Sequence, residues 1–229
     1  MIKAILFDRD DTLCFSVPEA GREIALWAQA TFGLEPNAVI EALQAGWAET
    51  AQTWKDLRTL EDERQFWDDY ARSLSARLGQ PHAVGTEMVK TYPHWSFTRP
   101  FPEAREVLTT LRNRGFLIGV LSNSLPDIRS TLAGIGLDDL IDVALASCAL
   151  GHFKPEPEAF KKAAEHLGHA LEDILFVDDK LENVETAWAL GMQGLHIRHG
   201  MPEQTDRLWI SDLWGVLDHL GLPREVAST

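Results

Sequence analysis

The chain begins with a short apolar run that ends in a group of carboxylates. Residues 5–7 are isoleucine, leucine and phenylalanine, the pattern of a strand buried on both faces of a sheet. Asp8, Asp10 and Asp11 follow, and then Thr12. Side chains two residues apart in an extended segment point the same way, so Asp8 and Asp10 should face one side where the strand ends. Two carboxylates held close together repel and need a proton, a cation or solvent nearby; a solvated acidic turn after an edge strand would give the same pattern.

From about residue 15 to residue 96 the apolar positions follow helical spacing. Val39, Leu43 and Trp47 recur at every fourth position, and residues 59–62 resemble a capping box. Helices are predicted to begin near Pro18, Pro36, Thr59 and His82 and to end near Gly33, Thr50, Gly79 and Thr91. No convincing period-two strand interrupts this region, so residues 15–96 are expected to form an all-helical insertion.

Strands and helices alternate from residue 102 onward. The predicted strands cover residues 116–121, 142–146, 174–177 and 194–197, and the predicted helices cover 102–114, 127–136, 155–168, 182–190 and 211–219. This rhythm implies βαβ units, a parallel sheet and right-handed crossovers, and therefore an α/β fold. The polar tail from Pro223 is expected to be loose.

Polar side chains stand at the ends of several predicted strands. Ser122 and Asn123 follow one strand, Asp178 and Asp179 follow another, and Lys154 precedes a helix. Ligands of such sheets bind beyond the carboxyl ends of the strands, so these groups should gather near the first carboxylates. Taken singly, Ser122 could cap the next helix, Lys154 could be solvated, and the acidic pair could be N-cap residues.

Composition narrows the possible partners. The chain has 229 residues, of which 45% are hydrophobic, and it carries a formal net charge of −14 with a pI near 4.9. This acidity argues against nucleic acid or an anionic membrane surface as a partner. An anionic substrate would need local positive charge from a lysine, backbone amides or a metal. Nothing in the sequence indicates an oligomeric state.

The cysteines and the N-terminus bear on the compartment. Cys14 and Cys148 are far apart and lack metal-ligand spacing, so reduced intracellular thiols are expected. Charged residues interrupt the N-terminus, and no apolar run approaches the roughly 20 residues of a membrane span. The sequence therefore predicts a soluble cytoplasmic protein.

The predicted cluster suits a magnesium-dependent reaction on a phosphate. Mg²⁺ prefers hard oxygen ligands, which Asp8, Asp179 and Asp178 could supply. A carboxylate can attack phosphorus to give an aspartyl-phosphate, and a second carboxyl can protonate the leaving oxygen and then activate water. The metal and Lys154 would neutralise the transferring phosphoryl group.

Four segments together resemble the haloacid dehalogenase superfamily. FDRDDT resembles its first motif, D-x-D-x-T, and LSNS resembles its second, a Ser or Thr that ends a strand. Lys154 in GHFKPEP resembles the third motif, and FVDDKLENVETAWALGM resembles the fourth. The resemblance covers about residues 1–14 and 97–200. It implies a Rossmann-like three-layer core formed by residues 1–14 and 97–229, a helical C1 cap formed by residues 15–96, and Mg²⁺ as the cofactor.

The resemblance also implies roles for the first motif. Asp8 would be the nucleophile and a magnesium ligand. Asp10 would be the general acid and base, and its backbone carbonyl would also contact the metal. Thr12 would steady the first loop.

The later motifs would bind phosphate and metal. Ser122 with the Asn123 amide would bind the phosphate, and Lys154 would bridge Asp8 and the phosphoryl group. Asp179 is the preferred direct metal ligand, with Asp178 in or just outside the first coordination shell. Asn183 either orients this acidic pair or is an ordinary surface residue.

Asp10 favours phosphate monoester hydrolysis, because family members that cleave carbon–halogen bonds lack an acid there. A phosphomutase, a dehalogenase relative and a non-catalytic metabolite-binding or regulatory protein remain the alternatives. Phosphoglycolate, sugar phosphates and nucleotide monophosphates are all possible substrates. Candidate substrate contacts in the cap or hinge are Trp54, Lys55, Arg58, His94, Trp95 and Arg99, each of which could equally be a solvated surface residue.

Overall fold

The computed structural model describes residues 1–201 and 209–224. Its strands are β1 (Ala4–Phe7), β2 (Cys14–Ser16), β3 (Thr98–Pro100), β4 (Leu117–Ser122), β5 (Val143–Ala146), β6 (Ile174–Asp178), β7 (Gln193–Ile197) and β8 (Trp209–Ile210). Its α-helices are α1 (Ala20–Phe32), α2 (Pro36–Thr50), α3 (Leu60–Arg77), α4 (His82–Thr91), α5 (Ala104–Asn113), α6 (Ile128–Gly134), α7 (Ser147–Leu150), α8 (Pro157–Leu167), α9 (Leu181–Ala189) and α10 (Trp214–His219).

Six strands form a parallel sheet in the order β5-β4-β1-β6-β7-β8. β1 is central, and its last residue, Phe7, pairs with Val120 of β4 and Val177 of β6. Because the strands run the same way, the residues that follow them reach one edge of the sheet. The α/β fold predicted from the alternation of strands and helices is confirmed.

The two faces of the sheet pack against different helices. Ile5 and Phe7 point into a core layer shared with α5, α6 and α10, whereas Leu6 points into a layer shared with α8 and α9. Phe160 and Phe176 meet edge to face in the second layer. A strand with a hydrophobic layer on each side requires apolar residues at every position, which explains the continuous run in β1.

The helices between residues 15 and 96 enclose a third apolar cluster. Ile24, Val39 and Leu74 are fully or almost fully buried in it. Thr59 and Asp62 form the predicted capping box at the start of α3. α3 and α4 pack so closely that a Cβ atom on Gly85 would lie 2.0 Å from a backbone oxygen of α3. The four helices predicted for this region are therefore present.

A two-stranded antiparallel ribbon joins the two regions and corrects the expectation of a strand-free insertion. Phe15 of β2 lies opposite Arg99 of β3, so the chain leaves and re-enters the α/β region side by side. Each ribbon strand is three residues long, too short to show a period of two.

Other boundaries differ by a few residues. α5 begins at Ala104, α8 at Pro157 and α10 at Trp214, each slightly later than predicted. In α8 the second proline of the Pro-Glu-Pro segment takes the first helical turn. α7 and β8 were not predicted, since both are very short.

Most of the tail predicted to be loose, residues 225–229, lies outside the described residues. None of the described helices combines the length and apolarity needed to cross a membrane.

Candidate active site

Three strand ends and one loop bring the predicted polar residues together. Asp8 follows β1, Ser122 ends β4 and Asp178 ends β6. Lys154 lies in the loop before α8, and its Nζ atom is 2.7 Å from Asp8 Oδ1 and 2.7 Å from Asp178 Oδ2. Residues 24 to 170 positions apart thus share one ion-pair cluster at the carboxyl edge of the sheet.

This cluster is almost completely removed from solvent. Lys154 is 5% exposed, Asp8 is 7% exposed and Asp178 is fully buried. Burial disfavours the Lys154 ammonium, but the two carboxylates outweigh that effect and raise its pKa above the usual value. Burial raises the pKa of Asp8 to about 7, with Lys154 acting in the opposite direction. The Lys154 ammonium therefore forms ion pairs with two buried carboxylates, so negative charge is in excess within the cluster.

Asp178 is held by donors on several sides. Besides Lys154, the Asn183 Nδ2 atom donates to both carboxylate oxygens at 2.9 Å, and the Lys180 backbone N–H donates to Oδ1 at 2.8 Å. Asn183 is itself buried, so its interpretation as an ordinary surface residue is wrong. Asn183 orients Asp178, the first residue of the predicted acidic pair.

Three carboxylates are close enough to hold one metal ion. One oxygen from each of Asp8, Asp178 and Asp179 lies within 4.8 Å of the others. Burial, together with Asp178, raises the pKa of Asp179 above the usual value. His196 Nε2 donates to the Asp179 backbone carbonyl at 2.8 Å and fixes that part of the loop. An all-carboxylate oxygen donor set with excess negative charge fits a hard cation such as Mg²⁺.

Unpaired buried polar atoms also concentrate on the predicted site residues. Within residues 1–201 and 209–224, five buried side-chain atoms lack a hydrogen-bond partner. Four of them are Thr12 Oγ1, Ser122 Oγ, Asp179 Oδ1 and Asn183 Oδ1. Such atoms cost roughly 1–3 kcal/mol each, and in native proteins they are uncommon outside functional sites. They are suited to contact a polar ligand.

The Asn123 side chain has a role that the sequence did not reveal. Its Nδ2 atom donates to the Lys154 carbonyl at 2.9 Å, and its Oδ1 atom accepts from the Lys154 N–H at 3.0 Å. Ser147 Oγ donates to the same Oδ1 atom at 2.7 Å. The side-chain amide thus positions the Lys154 loop. Ser147 carried no sequence signal, because it belongs to a helix of four residues.

The loop after β1 turns sharply and places Asp10 against Arg9. Asp11 has a positive φ of 54°, a conformation that aspartate tolerates better than most residues. Arg9 Nε and Nη2 donate to the two Asp10 carboxylate oxygens at 3.1 and 2.7 Å. Burial alone would raise the pKa of Asp10, but Arg9 outweighs it and lowers that pKa. His199 Nε2 donates to the Thr12 carbonyl at 3.0 Å and braces the same loop.

A cavity of about 680 Å³ separates this edge of the sheet from the helical region. Arg9, Asp10 and Asn123 line its end nearest the carboxylates. Of the six candidate substrate contacts, Trp54 and His94 line this cavity. The others have different contacts in the structure: Trp95 lies against Gly134, the guanidinium groups of Arg58 and Arg99 bond to nearby backbone carbonyls, and Lys55 lies over the Trp54 ring.

Comparison with known proteins identifies the family. Residues 2–191 match the family model described as haloacid dehalogenase-like hydrolase, so the chain belongs to that family. A phosphatase from Mycobacterium tuberculosis is 31% identical over 227 residues, which cover 96% of this chain and 99% of that protein. A glyceraldehyde 3-phosphate phosphatase from Methanopyrus kandleri is 29% identical and covers 87% of this chain and 85% of its own.

A solved structure shows the same architecture. The crystal structure of the L-2-haloacid dehalogenase RSc1362 matches with a TM-score of 0.59 at 26% identity, covering 96% of this chain and 99% of that chain. Both sequence relatives described above are phosphatases, whereas an (S)-2-haloacid dehalogenase from Burkholderia cepacia is 25% identical over 80% of this chain and 84% of its own. Within the family this chain is a phosphatase.

Proposed function

We propose that this phosphatase hydrolyses a small phosphomonoester through an aspartyl-phosphate on Asp8. The observation that carries the proposal is the dry cluster in which Lys154 Nζ lies 2.7 Å from Asp8 Oδ1. A lysine at this position can neutralise both the attacking carboxylate and the phosphoryl group that it receives.

The reaction takes place in two displacements. An Asp8 carboxylate oxygen forms a bond to phosphorus, the phosphorus–oxygen bond of the ester breaks, and the leaving alcohol takes a proton from Asp10. For this step Asp10 has to leave the Arg9 guanidinium and become protonated, because that pairing lowers its pKa in the geometry described. Water then gives a proton to Asp10 and attacks the aspartyl-phosphate, which releases inorganic phosphate and restores Asp8. Ser122 Oγ, the Asn123 backbone N–H and Lys154 bind the phosphate, and Thr12 holds the first loop in place.

The carboxylates would also hold Mg²⁺. Asp8, Asp179 and the Asp10 backbone carbonyl are the proposed ligands, and the ion would supply positive charge for the phosphoryl oxygens. Asp179 Oδ1 is buried without a partner, which favours Asp179 as a direct ligand. Asp178 already accepts from Lys154, Asn183 and Lys180, which favours a place for it beside the ion rather than as the main ligand.

The helical region, residues 15–96, is proposed to act as a cap that closes over the ester and excludes bulk water. A dehalogenase reaction is less favoured, because a halide needs no proton and Asp10 would then have no task. A non-catalytic role is less favoured because all the positions required for turnover are present. The cytoplasmic location expected from the sequence remains a prediction.

The test is phosphate release from a panel of phosphomonoesters with Mg²⁺ and with EDTA. Wild type should release phosphate only with Mg²⁺, and Asp8→Asn should lose at least a thousandfold in kcat/KM because it removes the nucleophile. Asp11→Asn is the matched control, since Asp11 is exposed and asparagine accepts the same backbone conformation. Full activity of Asp8→Asn, or of wild type in EDTA, would refute the mechanism.

The intermediate can be trapped directly. Acid quenching of the reaction with a ³²P-labelled ester should leave label on the protein, and Asp10→Asn should retain it longer because water is no longer activated. Hydroxylamine should release the label, as expected of an acyl phosphate. Label that withstands hydroxylamine would contradict Asp8 as its carrier.

A further inference from the structure

The cavity beside the site has apolar walls for most of its depth. Its apolar lining residues come mainly from the four cap helices, with Ile24 from α1, Leu43 and Trp47 from α2, Leu74 from α3 and Met88 from α4, and Leu125 from the loop after β4. At about 680 Å³ it falls within the roughly 300–1,000 Å³ range of ligand sites. It joins the phosphate end at Asp10 and Asn123, so an ester bound there would extend its organic group into this space.

Two of the aromatic side chains that line the cavity use their polar atoms in hydrogen bonds within the protein. Trp67 Nε1 donates to Glu63 at 3.1 Å, and the Tyr70 hydroxyl donates to the Leu43 carbonyl at 3.3 Å. Trp67 also stacks between Trp47 and His94, with ring centroids 6.3 and 5.2 Å away. The donors of Trp67 and Tyr70 are therefore not free for the hydroxyls of a sugar or a short acid, and burying such hydroxyls unpaired is unfavourable.

Charge in the cavity leads to the same conclusion. Arg9 and Arg22 are the lysine or arginine residues that line it. The Arg9 guanidinium already donates to both carboxylate oxygens of Asp10, and Arg22 is exposed at the rim of the cavity. A substrate with a second acidic group would therefore meet no buried, available cation in this part of the described structure.

We propose that the organic group of the ester is an extended hydrocarbon, as in an alkyl or prenyl monophosphate, and that it lies in this cavity. The inference rests on the proposed phosphomonoester hydrolysis. The phosphate would lie at Ser122 and Lys154, the alcohol oxygen at Asp10, and the chain between the cap helices. The walls, rather than hydrogen bonds, would select the substrate.

The decisive measurement is kcat/KM for ethyl, butyl, hexyl and octyl phosphate below their micelle concentrations, with phosphoglycolate and glyceraldehyde 3-phosphate beside them. Each methylene that leaves water should raise kcat/KM by about threefold to fourfold. Octyl phosphate should therefore exceed ethyl phosphate by at least a hundredfold. A flat or falling series, or a preference for either polar ester, would overturn the inference.

Failure of the inference and failure of the proposed function give different results. Hydrolysis of para-nitrophenyl phosphate with Mg²⁺ reports the phosphatase chemistry whatever the natural alcohol is. Calorimetric binding of the same alkyl phosphates to Asp8→Asn reports the cavity without turnover. Turnover that does not depend on chain length would refute only the hydrocarbon substrate. Tighter binding of longer chains without turnover of any ester would refute only the proposed reaction.

A cavity-filling variant locates the effect. Gly21 lines the cavity from α1, and a Cβ atom there meets no other atom within 4 Å, so the backbone has room for a side chain and Gly21→Leu should narrow the space. The ratio of kcat/KM for octyl to ethyl phosphate should fall at least tenfold in this variant. Ala30→Leu, on the exposed side of the same helix, is the matched control and should leave the ratio unchanged.

A second variant changes polarity at nearly constant shape. Val89→Thr places a hydroxyl in the wall and should lower the octyl-to-ethyl ratio by about threefold to tenfold. Thermal unfolding of both variants confirms that each is folded. If both fold and both keep the wild-type ratio, the hydrocarbon does not lie in this cavity.

Discussion

A single lysine balances the charge of the site. Lys154 bonds to both Asp8 and Asp178 in surroundings with almost no solvent. Breaking a buried ion pair by removal of one partner costs far more than breaking a surface pair, because the remaining charge is left without compensation. The same residue is therefore expected to support both stability and turnover.

Lys154→Met should lower the free energy of unfolding by about 3–5 kcal/mol and abolish phosphate release. Methionine keeps much of the side-chain volume but leaves two buried carboxylates facing each other. Urea denaturation at pH 7.5 measures the first effect, and the ester assay measures the second.

Lys161→Met provides the comparison for that experiment. Lys161 lies on α8 and forms an exposed pair with Glu158 at 3.3 Å, so its loss should change stability by less than about 1 kcal/mol. Equal stability of the two variants would contradict the described role of Lys154.

The site residues that could be predicted from the sequence are those that stand at the end of a predicted strand or just before a predicted helix. Asp8, Ser122, Lys154 and Asp178 were predicted to meet because each stands at a strand end or before a helix. Arg9 escaped notice because nothing in a sequence indicates that it turns back onto its neighbour Asp10. The clamp of Asn123 on the Lys154 loop depends on a contact across 31 positions, and so it too required the folded chain.

The longer elements were predictable because their periodicity reflects burial. β1 is apolar throughout, and β4 and β6 are apolar up to the polar residue that ends each of them, since both faces of the sheet are covered. α3 carries its own capping box. The ribbon of β2 and β3 was missed, because three residues cannot display a period and the pairing joins segments more than 80 positions apart. Local pattern thus gave the layers, whereas the connection between core and helical region is a tertiary property.

His94 links elements of the two regions. Its ring stacks on Trp67 of α3, and its Nε2 atom is 2.5 Å from Thr131 Oγ1 of α6. Burial lowers the pKa of His94 to about 4, with Arg9 acting in the same direction. The imidazole is therefore neutral in the folded protein at pH values where the unfolded chain is already protonated.

This difference predicts a loss of stability in acid. The folded pKa of about 4 lies below the usual value near 6.5, so the unfolded chain binds more protons between these values. This loss in the free energy of unfolding is absent above pH 7 and grows as the pH falls, reaching about 2 kcal/mol at pH 5. His94→Phe keeps an aromatic ring beside Trp67 and should lose less stability than wild type between pH 7.5 and pH 5.

Urea denaturation at both pH values measures that difference. His166→Phe, at an exposed position of α8, is the control and should follow wild type. An identical loss for His94→Phe and wild type would show that His94 does not titrate in this way.

At the scale of the whole molecule, the α/β region supplies charge and the helical region supplies apolar surface. The site on the sheet edge carries more carboxylates than ammonium groups, and the cavity above it presents mainly hydrocarbon and ring faces. The excess of carboxylates suits a cation that binds the phosphate of the substrate, and the apolar cavity suits a hydrophobic alcohol. The two meet at Asp10, where the leaving oxygen of the ester would receive its proton.

The cation should be detectable as stability of the entire fold, independently of any substrate. A ligand that binds only the folded state at a hundred times its Kd adds about 2.7 kcal/mol, which for a chain of this size raises Tm by roughly 5–10 °C. Wild type in saturating Mg²⁺ should show that increase over wild type in EDTA. Asp179→Asn should lose most of this increase in Tm, because the variant removes the carboxylate whose Oδ1 atom is buried without a partner.

Two neighbouring aspartates provide the controls. Asp10→Asn should keep most of the increase, since the proposed contact of Asp10 is its backbone carbonyl, and Asp11→Asn should match wild type. An equal Mg²⁺-dependent rise in Asp179→Asn would exclude Asp179 as a ligand, and no rise in wild type would exclude the magnesium site itself.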